Sequence, residues 1–307
     1  MDDASLISGV RDFHLLLIMP IAAYWISASI FHLFDCRRWL QAYKIHTNDE
    51  KEKRNKATLP QVFRQVVAQQ AIQVIFALAV DNFLSSSAIT QAPPMLQESI
   101  SHDNLTSTER DPVHMLLRDE QWPNGPPSLR NPLSHGVSLA LRLACAILIA
   151  DFWQYFWHRI FHANRTLYKY VHSVHHRLYV PYSYGALYSS LTEAFVVDTI
   201  GTTVTFYLSG LSTLEATLFA SLSIVKSVND HSGYRFPCNP FDYLSSNTTD
   251  FHDVHHQSWG MKYNYSQVYL TIWDDVLGTT MPASEVALRR NRKQDAGVAD
   301  KKAQKLQ

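Results

Sequence analysis

Cysteine is scarce in this 307-residue chain: Cys36, Cys145 and Cys238 lie far apart and form no C-x-x-C pair. That spacing indicates neither a disulfide framework nor a zinc knuckle, and reads as three reduced thiols. An excess of one charge is also missing, because 27 Lys and Arg balance 27 Asp and Glu. A nucleic-acid binder with a broad basic face is thereby disfavoured, and any charge signal must be local. No Walker-type loop and no G-x-G-x-x-G after a strand is present, so nucleotide binding has no motif behind it. The zinc-protease pattern H-E-x-x-H is absent too, since Arg159 follows His158. The hydrophobic share of 46% and the mean hydropathy of −0.14 are ordinary for a globular protein, so a membrane assignment must rest on where the apolar residues sit.

They sit in long runs. Residues 13–34 (FHLLLIMPIAAYWISASIFHLF) have the length of a bilayer-crossing helix, with an acidic leading flank and no small-residue cleavage pattern that would make them a signal peptide. Residues 37–64 carry eight Lys or Arg against Asp49, Glu50 and Glu52, as a cytosolic loop does. Residues 66–84 form a poorer span whose glutamines and Asp81 must face protein rather than lipid. Residues 85–135, rich in Pro, Ser and acidic side chains, read as a long lumenal loop bearing the glycosylation acceptor Asn104. Residues 136–157 return the chain to the cytosolic face and deliver His158 there. Residues 191–228 hold two shorter apolar stretches split at Ser209-Gly210, a pattern expected of a helical hairpin. The expected fold class is an all-α, polytopic membrane helical bundle with a cytosolic histidine-lined cap. Three regions follow: 1–135 with the first helices and lumenal loop, 136–285 as the catalytic domain, and 286–307 as a basic disordered tail.

Histidine is what the chain has in unusual arrangement, 15 residues in all. His158 and His162 are spaced H-x3-H; His172, His175 and His176 form H-x2-H-H; His252, His255 and His256 repeat that pattern; His231 lies between. On a helix, i, i+3 and i+4 share a face, so each cluster gathers its rings on one side. Eight imidazoles packed without a cation are unfavourable, because protonated rings repel and buried neutral rings need partners. Metal binding is therefore expected, and eight or nine nitrogens without cysteine imply two ions. Imidazole suits iron, zinc and copper alike, so ligand type leaves the metal open. Helices ending at a membrane surface with such a site point to oxygen chemistry on an apolar substrate.

These residues resemble the membrane fatty acid hydroxylase superfamily over about 151–280. Within it, the stretches HRLYVPYSYGALYSSLTEAFVVDTIGT, NDHSGYRFPCNP, DFHDVHHQSWGMKYNYSQ and TIWDDVLGT look most like fungal-type sphinganine C-4 hydroxylases. Sterol C-4 methyl oxidases, which share HSGY and the ending, are the alternative within this chemistry, along with sterol desaturase-like enzymes. A metal-binding transporter or sensor is the alternative outside it. The resemblance implies that His158, His162, His172, His175, His176, His252, His255 and His256 hold two Fe ions, with His231 a ninth ligand; the ligand chemistry itself lets zinc replace iron on purification. It implies O2 as co-substrate, electrons from NAD(P)H through a reductase and cytochrome b5, a long-chain base or ceramide as substrate, and residence in the endoplasmic reticulum membrane. Where some relatives carry a further histidine, this chain reads Ser227 to Asp230, so water or Asp230 would have to substitute. Asp230 and Asp253 are expected either to orient imidazoles or to be surface charges, and Glu193 either to sit at a helix N-terminus or to act in catalysis. Tyr182, Tyr184, Tyr188 and Trp259 are candidate substrate contacts or members of an interfacial aromatic belt.

Overall fold

The computed structural model describes residues 11–91 and 132–292. Among the described residues there is no β-strand, and one isolated bridge joins Lys44 to Tyr234. Helix α1 (Asp12–Cys36) leads through a short loop to α2 (Asn48–Arg54) and α3 (Leu59–Gln91). Then come α4 (Pro132–Ala163), α5 (Arg165–Tyr170) and two 3-10 turns, His172–Arg177 and Ser183–Leu187. The hairpin follows as α6 (Leu191–Glu193), a π-helical stretch Ala194–Ile200, α7 (Gly201–Ser209) and α8 (Thr213–His231). Three short helices close the order: α9 (Pro240–Leu244), α10 (Thr249–His256) and α11 (Ile272–Val276).

Among the described residues, three helices are long and apolar enough to cross a membrane: Asp12–Cys36, Leu59–Leu84 and Ser134–Ala163. They coincide with the three spans expected from the apolar runs, and the protein is an all-α membrane bundle. The polar residues of α3 face protein as a lipid-facing helix requires. Gln69 and Gln70 are buried, Gln70 accepts from the Trp25 indole at 3.0 Å, and Asp81 pairs with Arg11 at 3.1 Å. α3 continues to Gln91, past the expected loop start at 85; residues 92–131, with Asn104, lie outside the described residues.

The hairpin break falls where glycine permits it. Gly210 adopts φ +67°, the left-handed conformation that ends a helix at low cost, and Ser212 with Glu215 then forms a capping box that starts α8. α8 packs along α1. One apolar core joins Tyr24 and Ala28 of α1, Val62 and Val66 of α3, Leu178, Tyr182, Tyr184 and Tyr188 of the turn region, and Val228 of α8. The first helices therefore share a core with the histidine-bearing segments.

The loop between α1 and α3 folds over the end of the bundle that carries the histidines. Lys44 reaches Asp35 at 2.6 Å, Asn55 exchanges hydrogen bonds with the backbone of Val180, and His46 Nε2 lies 2.8 Å from Asp253. At the other end of the sequence, residues 283–292 are helical, across the expected onset of disorder at 286, and Arg290 pairs with Asp250 at 3.0 Å. Residues 293–307 lie outside the described residues.

Candidate metal centre

The last turns of α4 present His158 and His162, the 3-10 turn presents His172, His175 and His176, and α10 presents His252, His255 and His256. His231 is the final residue of α8. All nine converge, in two groups: His158, His162, His172, His176 and His255 form one, and His175, His231, His252 and His256 the other, each with its ligand atoms within 4.8 Å of one another. The expectation that each H-x2-H-H sends its rings to one side is corrected here. Consecutive residues point about 100° apart in an α-helix and about 120° apart in a 3-10 turn, so the adjacent pairs 175–176 and 255–256 diverge, one ring to each group. The i, i+4 partners stay together: His172 with His176 in the first group, His252 with His256 in the second.

Backbone carbonyls decide which nitrogen points inward. Carbonyl oxygens only accept, so Nδ1–H of His158 donates to Tyr265 at 2.7 Å, of His175 to Tyr188 at 2.9 Å, of His231 to Ser227 at 2.8 Å and of His255 to Tyr263 at 2.7 Å. His172 Nδ1 is held by the Glu193 carboxyl at 2.6 Å. With the proton on Nδ1, a neutral ring carries its lone pair on Nε2, and Nε2 is the atom facing each centre. The Nε2 atoms crowd together: His176 is 3.0 Å from His162 and 3.1 Å from His172, and His255 is 3.1 Å from His162. In the second group, His252 lies 2.9 Å from His231 and 3.0 Å from His256.

Lone pairs at such distances repel unless something positive lies between them. Four or more nitrogens bonded to one ion at about 2.0–2.1 Å are separated by roughly 2.9–3.4 Å along the edges of an octahedron or tetrahedron, the spacing seen here. Nε2 of His158 and of His175 are buried with no hydrogen-bond partner, as unsatisfied ligand atoms would be. Burial, followed by the neighbouring imidazoles, holds His172, His176, His252 and His256 well below the usual histidine range, and burial takes His255 down to about 3. The rings outside the membrane-spanning helices are therefore neutral at physiological pH, as metal ligands must be. The donor set fits two cations.

The acidic and aromatic candidates fare differently. Asp230 turns away from the histidines, its carboxylate 2.5 Å from Lys226 Nζ, so it is not the substitute for a missing nitrogen. Asp253 orients an imidazole, that of His46 in the capping loop, and none of the nine. Glu193 stands in the first turn of α6, its N–H capped by Ser190, and its carboxyl also holds His172; only proximity in the fold reveals the second contact, since 21 residues separate the two. The tyrosines do not wall a channel. Tyr184 shares a hydrogen bond with Ser29 at 2.8 Å while its carbonyl accepts from Tyr24, Tyr182 is buried beside Lys51, and Tyr188 supplies the carbonyl for His175. Trp259 is half-buried in the turn after α10. The apolar cavity instead lies between α1, α3, α4 and the hairpin, about 420 Å³ in volume and lined by Leu16, Phe76, Ala77, Phe206 and Phe219 among others. Its lining was not recognisable in the sequence, because each wall comes from a different helix.

Comparison with known proteins places this geometry in context. A family model described as fatty acid hydroxylase matches residues 143–279. The sphingolipid C4-hydroxylase of Saccharomyces cerevisiae is 36% identical over 94% of this chain and 78% of its own length. A very-long-chain aldehyde decarbonylase of Oryza sativa subsp. indica is 38% identical over 86% of each chain, and sphinganine C4-monooxygenase 2 of Arabidopsis thaliana 34% identical over 90% of each. Methylsterol monooxygenases match over only 46% and 50% of this chain. No solved structure matches.

Proposed function

This chain belongs to the fatty acid hydroxylase family, and from that premise we propose that it is a dinuclear iron monooxygenase that hydroxylates carbon 4 of a sphingoid base, sphinganine or dihydroceramide, in sphingolipid biosynthesis. The observation that carries this reading is the sorting of nine buried histidines into groups of five and four, with the proton held on Nδ1 of His158, His175, His231 and His255 by backbone carbonyls. We assign one iron to His158, His162, His172, His176 and His255, and the other to His175, His231, His252 and His256; zinc would suit the same nitrogens.

An unactivated methylene has no acidic proton and no leaving group, so the side chains cannot oxidise it by acid–base chemistry. Two irons, when bound, would supply the oxidising power to convert C–H to C–OH with O2, two electrons and two protons, one oxygen atom entering the product and the other leaving as water. The protein contributes fixed Nε2 lone pairs, a carboxyl at Glu193 that orients His172, burial that keeps bulk water from the centre, and an apolar cavity for the hydrocarbon tail. Residues 136–285 make up the catalytic domain, supported from outside by α1 and α3.

The two electrons come from NAD(P)H through a reductase and cytochrome b5 as separate proteins. The site faces the cytosol from the endoplasmic reticulum membrane: the basic loop 37–64 packs on the histidine end of the bundle, and basic loops stay on the cytosolic side. The sterol reading is weaker because methylsterol monooxygenases align with only about half of the chain.

The test is lipid mass spectrometry of cells that lack 4-hydroxylated bases, with and without this chain. Appearance of phytosphingosine-type bases is the expected result. An unchanged sphingolipid profile, with sterol methyl groups lost instead, would overturn the assignment.

A further inference from the structure

Two chambers meet inside the bundle. The apolar cavity described above adjoins a small polar chamber of about 30 Å³ that touches His158, His175, Ser189 and Glu193, and the wall common to both includes Gln154, Val197, Asp198 and Gln267. Asp198 thus stands at the neck between a hydrocarbon-lined space and the metal centre. It gets there because Ala194–Ile200 is π-helical: the extra residue per turn rotates the following side chains, and such bulges recur at functional sites.

The neck has acceptors without matching cations. Asp198 accepts from Gln69 Nε2 at 2.9 Å and from Gln154, both neutral amides. Glu193, 8% exposed, spends one oxygen on His172 and leaves Oε2 buried with no partner. Among the described residues, no Lys or Arg lines either chamber. A carboxylate placed among apolar walls with amides alone is poorly compensated, and an unpaired buried acceptor costs free energy until a donor arrives. A ligand that couples a long hydrocarbon to a cationic, donor-rich end would satisfy both chambers at once.

We propose that Asp198 binds the ammonium group of a free long-chain amino alcohol at this neck, making the free base rather than its N-acylated form the preferred substrate. This rests on the sphingoid-base reading above and goes beyond it by assigning the head-group site. The tail lies in the apolar cavity. The amine on carbon 2, anchored at Asp198, presents carbon 4, two bonds away, to the chamber faced by His158 and His175. Hydroxyls beside the amine donate to Glu193 Oε2. An N-acyl substrate has no charge at this position and gains only a neutral hydrogen bond, so the carboxylate discriminates between the two.

The test compares full-length wild type with Asp198→Asn in membranes supplied with NAD(P)H, using free sphinganine and N-acyl sphinganine of the same chain length. The asparagine keeps the shape and loses the charge. The expected result is a KM for the free base raised at least tenfold with kcat within about threefold, while the N-acyl substrate shifts less than threefold and bound metal is unchanged. Equal shifts for both substrates, or none for either, overturn the proposal. Should the variant fail to accumulate, wild type decides alone: an analogue with hydroxyl in place of the amine is expected to compete at least tenfold more weakly, and equal competition overturns it. Wild type that makes no hydroxylated base would remove the sphingoid reading itself, whereas active wild type with an indifferent Asp198→Asn removes only this assignment.

Discussion

At the scale of the residue, the nine histidines are distinguished by what holds their outer nitrogens. Replacing either His175 or His255 with alanine removes a nitrogen from a different group, so each variant should remain in the membrane, bind less metal by elemental analysis and lose hydroxylated product entirely. Full turnover in both variants would sink the metal assignment. Glu193→Gln keeps a hydrogen-bond acceptor for His172 and replaces the carboxyl behind it with an amide; metal retention against a chelator, or turnover, should fall about 10–100-fold. His46 gives a pH dependence outside the site. Burial by itself would lower its pKa, but hydrogen bonds to Asp253 and Glu50 prevail and raise it to about 9. A group protonated more readily in the folded state adds stability that is complete below its ordinary value near 6.5 and fades as pH rises through about 9. Thermal unfolding of the solubilised protein should therefore shift to lower temperature between pH 7 and pH 10, and the shift should shrink in His46→Gln.

At the scale of the element, short irregular pieces do the positioning while the long helices provide the frame. α10 is only eight residues, started by the Thr248 side chain on Phe251 N–H, yet it serves both metal groups. The chain leaves it through Gly260, where a Cβ would lie 1.8 Å from the Val254 carbonyl oxygen, between His252 and His255 in sequence. Gly260→Ala must push α10 aside. We expect a loss of about 1–3 kcal/mol in stability together with weakened metal retention, measured by thermal unfolding and elemental analysis. A variant as stable and metal-replete as wild type would show that the turn can shift without moving α10. The π-helical stretch in the hairpin works similarly for Asp198, and its neighbour Trp153 donates to the Val196 carbonyl at 3.1 Å, satisfying a backbone group within it.

At the scale of the whole molecule, the histidine end, the loop between α1 and α3, and the end of α8 occupy one side of the bundle. Four sequons test this arrangement. Asn247 and Asn264 are buried, 1% and 3% exposed, and Asn164 caps α5 beside His162. Expressed in a eukaryotic host, the protein should carry glycan at Asn104 and at none of these three, as read by glycosidase-sensitive mobility of Asn→Gln variants. Glycan at Asn247 would contradict its burial and overturn the cytosolic placement proposed for the centre.

Much of the molecule could be read from residue order alone, because bilayer spans and metal ligands obey local rules. A helix crossing hydrocarbon must be about 20 apolar residues long whatever surrounds it, so the three spans and the break at Gly210 were visible, as were the eight clustered histidines and His231. Tertiary packing decided the rest. Which histidine joins which partner depends on four separate elements meeting at one point, so the division into five and four appears in no single motif. The hold of Glu193 on His172, the place of Asp198 between the two chambers and the packing of Tyr184 against α1 arise from contacts between residues 21 to 160 positions apart. Hydrogen bonds and cavity walls are made across space, and periodicity along a chain carries no record of them.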